Sequence, residues 1–187
     1  MYPALLTESA TLTGYIAEML DAIRASVHGL TDEQARSRPC RSALSLAGIL
    51  KHCTWVMHAQ IVPRTTEPGS ADGAAAFMGS FIPQDSESLT DLLESFDATR
   101  HRYLQAISEL DPGAEMTVDP KPWEDQLEPE QATTRMLLAH HIDEFARHAG
   151  HADIIREQID GADAMSLRFA IEGRPGNKYV RPWTPSS

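Results

Sequence analysis

Four stretches of this 187-residue chain repeat apolar residues every three or four positions, a spacing that suits helices packed on one face. In the first, Leu5, Leu12, Ile16, Met19, Leu20, Ile23 and Val27 form one stripe on a helix predicted from about Pro3 to Val27, and Gly29 stops it. TDEQ follows, with Thr31 and Gln34 in a capping-box pattern that opens a short turn ending before Pro39. A second helix is expected from Ser42 or Ser45 to Pro63, with Leu46, Ile49, Leu50, Cys53, Val56 and Met57 on its apolar arc. A third, from Ser88 to Leu110, carries Leu89, Leu92, Leu93, Phe96, Tyr103, Leu104 and Ile107. The fourth begins at Pro129, a residue suited to a first helical turn, and runs to Asp160 before Gly161 ends it. No stretch shows a convincing strand alternation. The expectation is an all-α four-helix bundle over residues 1–161, with long inter-helix loops. Residues 162–187, with three prolines and the turn sequence PGNK, form an irregular C-terminal tail that packs on the bundle or extends from it. The 64–86 connection is rich in Gly, Ala, Ser and Pro and is long for a bundle, and such loops often border functional sites.

Charge narrows the possible partners. At a net −11 and without a Lys/Arg cluster, the chain lacks the basic stripe that nucleic-acid binding requires. It has no apolar run long enough to span a membrane and no basic-then-apolar segment at its start, so a cytoplasmic protein is expected. Cys40 and Cys53 are the only cysteines and make no CxxC pair; they read as buried reduced thiols.

The chemistry concentrates in HHIDEFARHAGH, residues 140–151, which holds four of the chain's eight histidines. At ~100° per residue, His148 lies about 40° and His141 about 60° to one side of Glu144 on a helix, with His151 about 20° to the other. Leu137 and Ile155 fall among them and Leu138, Phe145 and Ala149 beyond, so the polar arc overlaps one edge of the buried face. A carboxylate and imidazoles at a bundle core need partners. Glu144 and His148, one turn apart, can reach one metal ion, and such a pair needs a third ligand from elsewhere. His52, at the edge of the apolar arc of the second helix, is the best candidate, whereas His58 points to solvent. His28 and His101 have no evident role. His141 could instead hydrogen-bond Glu144, and His151 could be a supporting donor or have no role; a hydrogen-bonded core histidine is the ordinary alternative throughout. Cys53 points toward the apolar arc and reads as packing.

GLTDEQARSRP, SLAGILKHCTWV and HIDEFARHAGHADIIREQIDG together resemble the DinB/YfiT-like superfamily of metal-binding four-helix bundles. The resemblance is specifically to its actinobacterial mycothiol-linked branch, typified by the N-terminal domain of mycothiol-dependent maleylpyruvate isomerase, and covers about residues 5 to 161. It implies a divalent ion, zinc or nickel, held by His52, Glu144 and His148, with water in the remaining positions. His141 and His151 are then candidates for orienting a ligand or moving a proton. It also implies that two copies can pair through a helical face. Two departures bear on the reaction. Met57 stands where the family often has a Glu, and the chain ends too soon for the isomerase's additional C-terminal domain.

The leading expectation is therefore a thiol-dependent, mycothiol-type transferase or isomerase acting on a small electrophile held under the 64–86 loop. Metal-dependent hydrolysis is one alternative. The other is a binding or stress-related bundle in which the metal only pins two helices together.

Overall fold

Three of the four long helices begin where a short polar side chain caps them. The structure, a computed structural model, describes residues 6–62, 70–120 and 125–185. Helix α1 (Glu8–Ser26) starts after Thr7, whose hydroxyl accepts from the Ala10 amide, and α3 (Leu46–Ile61) starts after Ser45, which does the same for Gly48. Between them Thr31 and Gln34 complete the capping box of the single-turn α2 (Asp32–Arg36). Ser88 and Asp91 form the same reciprocal pair at the head of α5 (Leu89–Ser108). The longest helix, α6 (Thr134–Asp160), ends at Gly161 with φ of +75°, the left-handed cap foreseen from sequence. The predicted onset of the first helix at Pro3, its Leu5, and the Pro63 stop all lie outside the described residues.

α1, α3, α5 and α6 form the bundle. α1 packs on α5 and α6, α3 packs on α5 and α6, and their apolar stripes meet in one core. Ile16, Leu20, Leu50, Met57, Phe96, Tyr103, Leu138 and Phe145 are among its fully buried members. Burying an apolar side chain of this size contributes about 1.5–3 kcal/mol, so the core carries most of the fold's stability. Both cysteines are free thiols; Cys53 lies within the core, where burial pushes its pKa well up, so it is no thiolate nucleophile.

Three segments depart from the sequence expectation. Residues expected to open the fourth helix are instead a strand, β2 (Glu130–Thr133), paired antiparallel with β1 (Glu115–Val118), so α6 starts at Thr134. Four-residue strands are too short for their alternation to register, and the pairing supplies backbone partners that a free helix start would lack. The long 64–86 loop contains a helix, α4 (Ala71–Gly79), none of whose residues is buried. The stretch expected as an irregular tail contains α7 (Ala164–Ile171), capped by Asp163 and packed on α1 with Leu167 and Phe169 buried. Beyond it the chain is irregular as far as residue 185, with Trp183 lying against Arg156 and Asp160 of α6. Among the described residues no helix is long and apolar enough to cross a membrane.

Candidate metal centre

Three donor side chains from two helices converge where α3 meets α6. His52 sits on α3 facing inward, and Glu144 and His148 project from successive turns of α6. Nε2 of His52 and Nε2 of His148 each lie 3.2 Å from the same carboxylate oxygen, Oε1 of Glu144. One ligand atom from each residue falls within 4.8 Å of the others, and no other group of three such residues gathers like this among the described residues. The site is open on one side. The His52 side chain is 1% exposed, whereas His148 and Glu144 are 12% and 26% exposed.

The 70–87 segment covers the buried side. The Phe81 ring stacks on the His52 imidazole with centroids 3.8 Å apart, and Phe77 meets it edge-on at 5.5 Å. The approach is close because residue 48 is glycine: a Cβ there would lie 2.5 Å from the Phe81 carbonyl oxygen. Lys51 donates to the Ile82 carbonyl and to Glu87, and Arg36 donates to the carbonyls of Pro83, Gln84 and Glu87, which bolts the end of the segment to α3 and α2. Ser80 completes the support. Its hydroxyl donates to the Phe77 carbonyl at 2.5 Å, and its oxygen lies 2.8 Å from Nδ1 of His52. A Ser80 hydroxyl that donates to Phe77 leaves its oxygen to accept from an Nδ1–H of His52.

That chain of hydrogen bonds decides whether the cluster suits a cation. With its proton on Nδ1, a neutral His52 presents a bare lone pair at Nε2, aimed at a carboxylate oxygen. The contact from His148 holds the Glu144 carboxyl far below the usual carboxylate range against the opposing effect of burial. Burial meanwhile pushes the His52 pKa down, outweighing the pull of Glu144 in the other direction, so a proton is a poor guest at Nε2. Two electron-rich atoms 3.2 Å apart in a half-buried site are stabilised by a positive charge between them. Two imidazole nitrogens and one carboxylate oxygen are a donor set for a borderline divalent ion, and donors about 2.1 Å from a tetrahedral ion stand about 3.4 Å from one another. The residues fit the group. Nδ1 of His148 is buried with no hydrogen-bond partner and is the one ligand nitrogen without support.

Of the other sequence candidates, His141 is buried but turned toward α5, hydrogen-bonded to the Tyr103 hydroxyl at 2.6 Å. Its pKa is pushed down to about 4, chiefly by burial, so it is a neutral core imidazole. His151 is solvent-exposed, its ring centroid 6.2 Å from that of His148. His58 and His101 are exposed, and the His28 ring sits edge-on against Trp183. Met57, in place of the family's Glu, is fully buried in the core and presents nothing polar. Sequence reasoning missed Ser80, Phe81, Phe77 and Trp55. The first three lie in the connection flagged for its length, but a serine in a Gly/Ala/Ser-rich stretch has no spacing that marks it out.

Trp55 and Phe77, at 37% and 44% exposure, carry an apolar surface from the cluster to solvent, their ring centroids 6.0 Å apart. Trp55 also lines a cleft of about 240 Å³ between α3 and α5, with Lys51, Glu87 and Thr99 on its walls.

Comparison with known proteins agrees with this architecture. A conserved protein from Enterococcus faecalis, known from a crystal structure, superposes with a TM-score of 0.55 at 12% identity, covering 84% of this chain and 100% of that one, a likeness of fold alone. No curated protein sequence matches. Residues 11–161, from within α1 to the cap of α6, match the mycothiol-S-transferase family, and the chain belongs to it.

Proposed function

We propose that this protein transfers the sulfur of mycothiol to a small apolar electrophile at a divalent-metal centre held by His52, Glu144 and His148. The observation that carries the reading is the convergence of His52 Nε2 and His148 Nε2, each 3.2 Å away, on one oxygen of an ionised Glu144 carboxylate. Family membership supplies the thiol. Zinc or nickel suits two imidazoles and one carboxylate. When bound, the cation supplies Lewis acidity and stabilises the thiolate over the thiol.

The residues themselves do the rest. Glu144 contributes one negative charge to the site, which leaves a divalent cluster with net positive charge to attract an anionic sulfur. His52 is held in one orientation by Ser80 and Phe81, so the cluster is organised before any ligand arrives. Trp55 and Phe77 offer partly exposed rings to the carbon skeleton of the electrophile and displace water around the reacting atoms. In the transfer a sulfur–carbon bond forms, the thiol proton passes to solvent, and the leaving group departs with its bonding pair. His141, committed to Tyr103, is not placed to take that proton, whereas the open side beside Glu144 and His148 admits water.

The test is to load purified protein with zinc or nickel, add mycothiol and a panel of alkyl and aryl electrophiles, and measure thioether formation by mass spectrometry. Metal- and thiol-dependent product is expected. Substrate turnover without added thiol would replace transfer with hydrolysis, and absence of both metal uptake and product would remove the reading.

A further inference from the structure

A serine outside the ligand set touches the cluster. Ser80 ends α4 and is almost wholly buried, and an ordinary cap of that kind would need only its bond to the Phe77 carbonyl. The contact with Nδ1 of His52 goes further. An imidazole has two neutral tautomers, and only the one with its proton on Nδ1 leaves Nε2 free to ligate. Without an acceptor at Nδ1, a metal-free His52 would gain by moving that proton to Nε2, where it could donate to Glu144 at 3.2 Å. The pair would then satisfy itself and close the site. Ser80 opposes this, because its own proton is tied to Phe77 and its oxygen can only accept. Phe81, stacked on the ring, hinders a flip that would exchange the two nitrogens. His148 has no such support, since its Nδ1 meets no partner.

We infer that Ser80 is a positioning residue that locks His52 in its ligating tautomer and so makes α4 part of the metal-binding apparatus. The inference rests on the metal reading above, and the experiment separates the two. Metal-free and zinc-loaded wild type and Ser80→Ala are compared by the ring ¹⁵N resonances of histidine, by zinc affinity in chelator competition, and by melting of the metal-free forms. Wild type is expected to show His52 protonated at Nδ1 without metal. Ser80→Ala should shift His52 toward the Nε2–H tautomer and weaken zinc binding by about 10–100-fold, the usual effect of losing a hydrogen bond to a ligating histidine. The metal-free melting temperatures should stay close, since truncating one small side chain leaves the core intact.

An unchanged zinc affinity in Ser80→Ala overturns the inference. So does a weakened affinity with the His52 tautomer unaltered, which would mark Ser80 as a structural cap. Wild-type protein that takes up no zinc but keeps the Nδ1–H tautomer removes the metal reading and, with it, the affinity half of the inference. The tautomer of Ser80→Ala then still decides whether Ser80 orients the ring.

Discussion

α6 carries two buried polar clusters about two turns apart, and they are solved in opposite ways. Near its C-terminal end, fully buried Arg156 forms a two-pronged pair with Asp160 and donates to the carbonyls of Ser26 and His28. Trp183 closes the arrangement, donating to Asp160 and laying its ring 5.0 Å from the guanidinium. Positive and negative charge balance, each group has a partner, and nothing remains for a ligand to do. Mid-helix, His52 and His148 turn Nε2 toward one oxygen of an ionised Glu144 carboxylate, and Nδ1 of His148 has no partner. The first cluster is a finished structural element. The second is partly open to solvent and leaves one imidazole nitrogen without a partner. Burial of polar groups therefore does not distinguish structure from function in this helix; completeness of pairing does.

The largest expected effect breaks the finished cluster. Arg156→Met leaves Asp160 without its cation and two carbonyls without donors. Breaking a buried pair from one side costs about 3–5 kcal/mol, which lowers the melting temperature by on the order of 10 °C in a domain of this size. Zinc affinity, measured by chelator competition on the folded protein, should not change.

Acid comes next. His141 is held neutral, its folded pKa of about 4 lying below the ~6.5 of an unfolded histidine. Between those values the unfolded chain binds the extra proton, so the stabilisation is full above about pH 6.5 and is lost as pH falls toward 4, a total of about 3 kcal/mol. Urea unfolding at stepped pH should show this slope, and His141→Asn should flatten it; an equal slope in the variant would assign the acid sensitivity elsewhere.

Glu144→Gln sharpens the other half of the comparison. It removes the charge that the cation would answer, and zinc affinity should fall by about 100-fold or more. The metal-free protein should be as stable as wild type or slightly more so, because an amide can donate to Nε2 of His52 where the carboxylate cannot. A marked loss of metal-free stability would mean that the site, like the Arg156 cluster, is complete without an ion. The smallest effect is expected from Trp183→Ala, which removes one hydrogen bond and one cation–π contact, about 2 kcal/mol together. Thermal melting should register it, and the metal site should not.

Much of this was legible in the chain. The apolar stripes of α1, α3, α5 and α6 and the caps at Thr31, Ser45, Ser88 and Gly161 are local signals, because helical periodicity and end-capping act over one or two turns. The same angular arithmetic put Glu144 and His148 on one inward edge of α6 and His52 at the edge of the α3 arc. It could not place His141, whose fate depends on Tyr103 from another helix. Nor could it see the hairpin of β1 and β2, whose stability lies in a partner strand.

Sequence alone thus determined the four long helices and their buried faces, and it named His52, Glu144 and His148, which the structure brings together. Tertiary structure decided which of those side chains meet and how each is held. The serine that sets the His52 tautomer sits 28 residues away in a segment with no buried helical face, brought there by Gly48, Lys51 and Arg36. Periodicity encodes what a residue does to its own helix. A proton's place on an imidazole is settled by a hydrogen bond across space, and no local pattern records it.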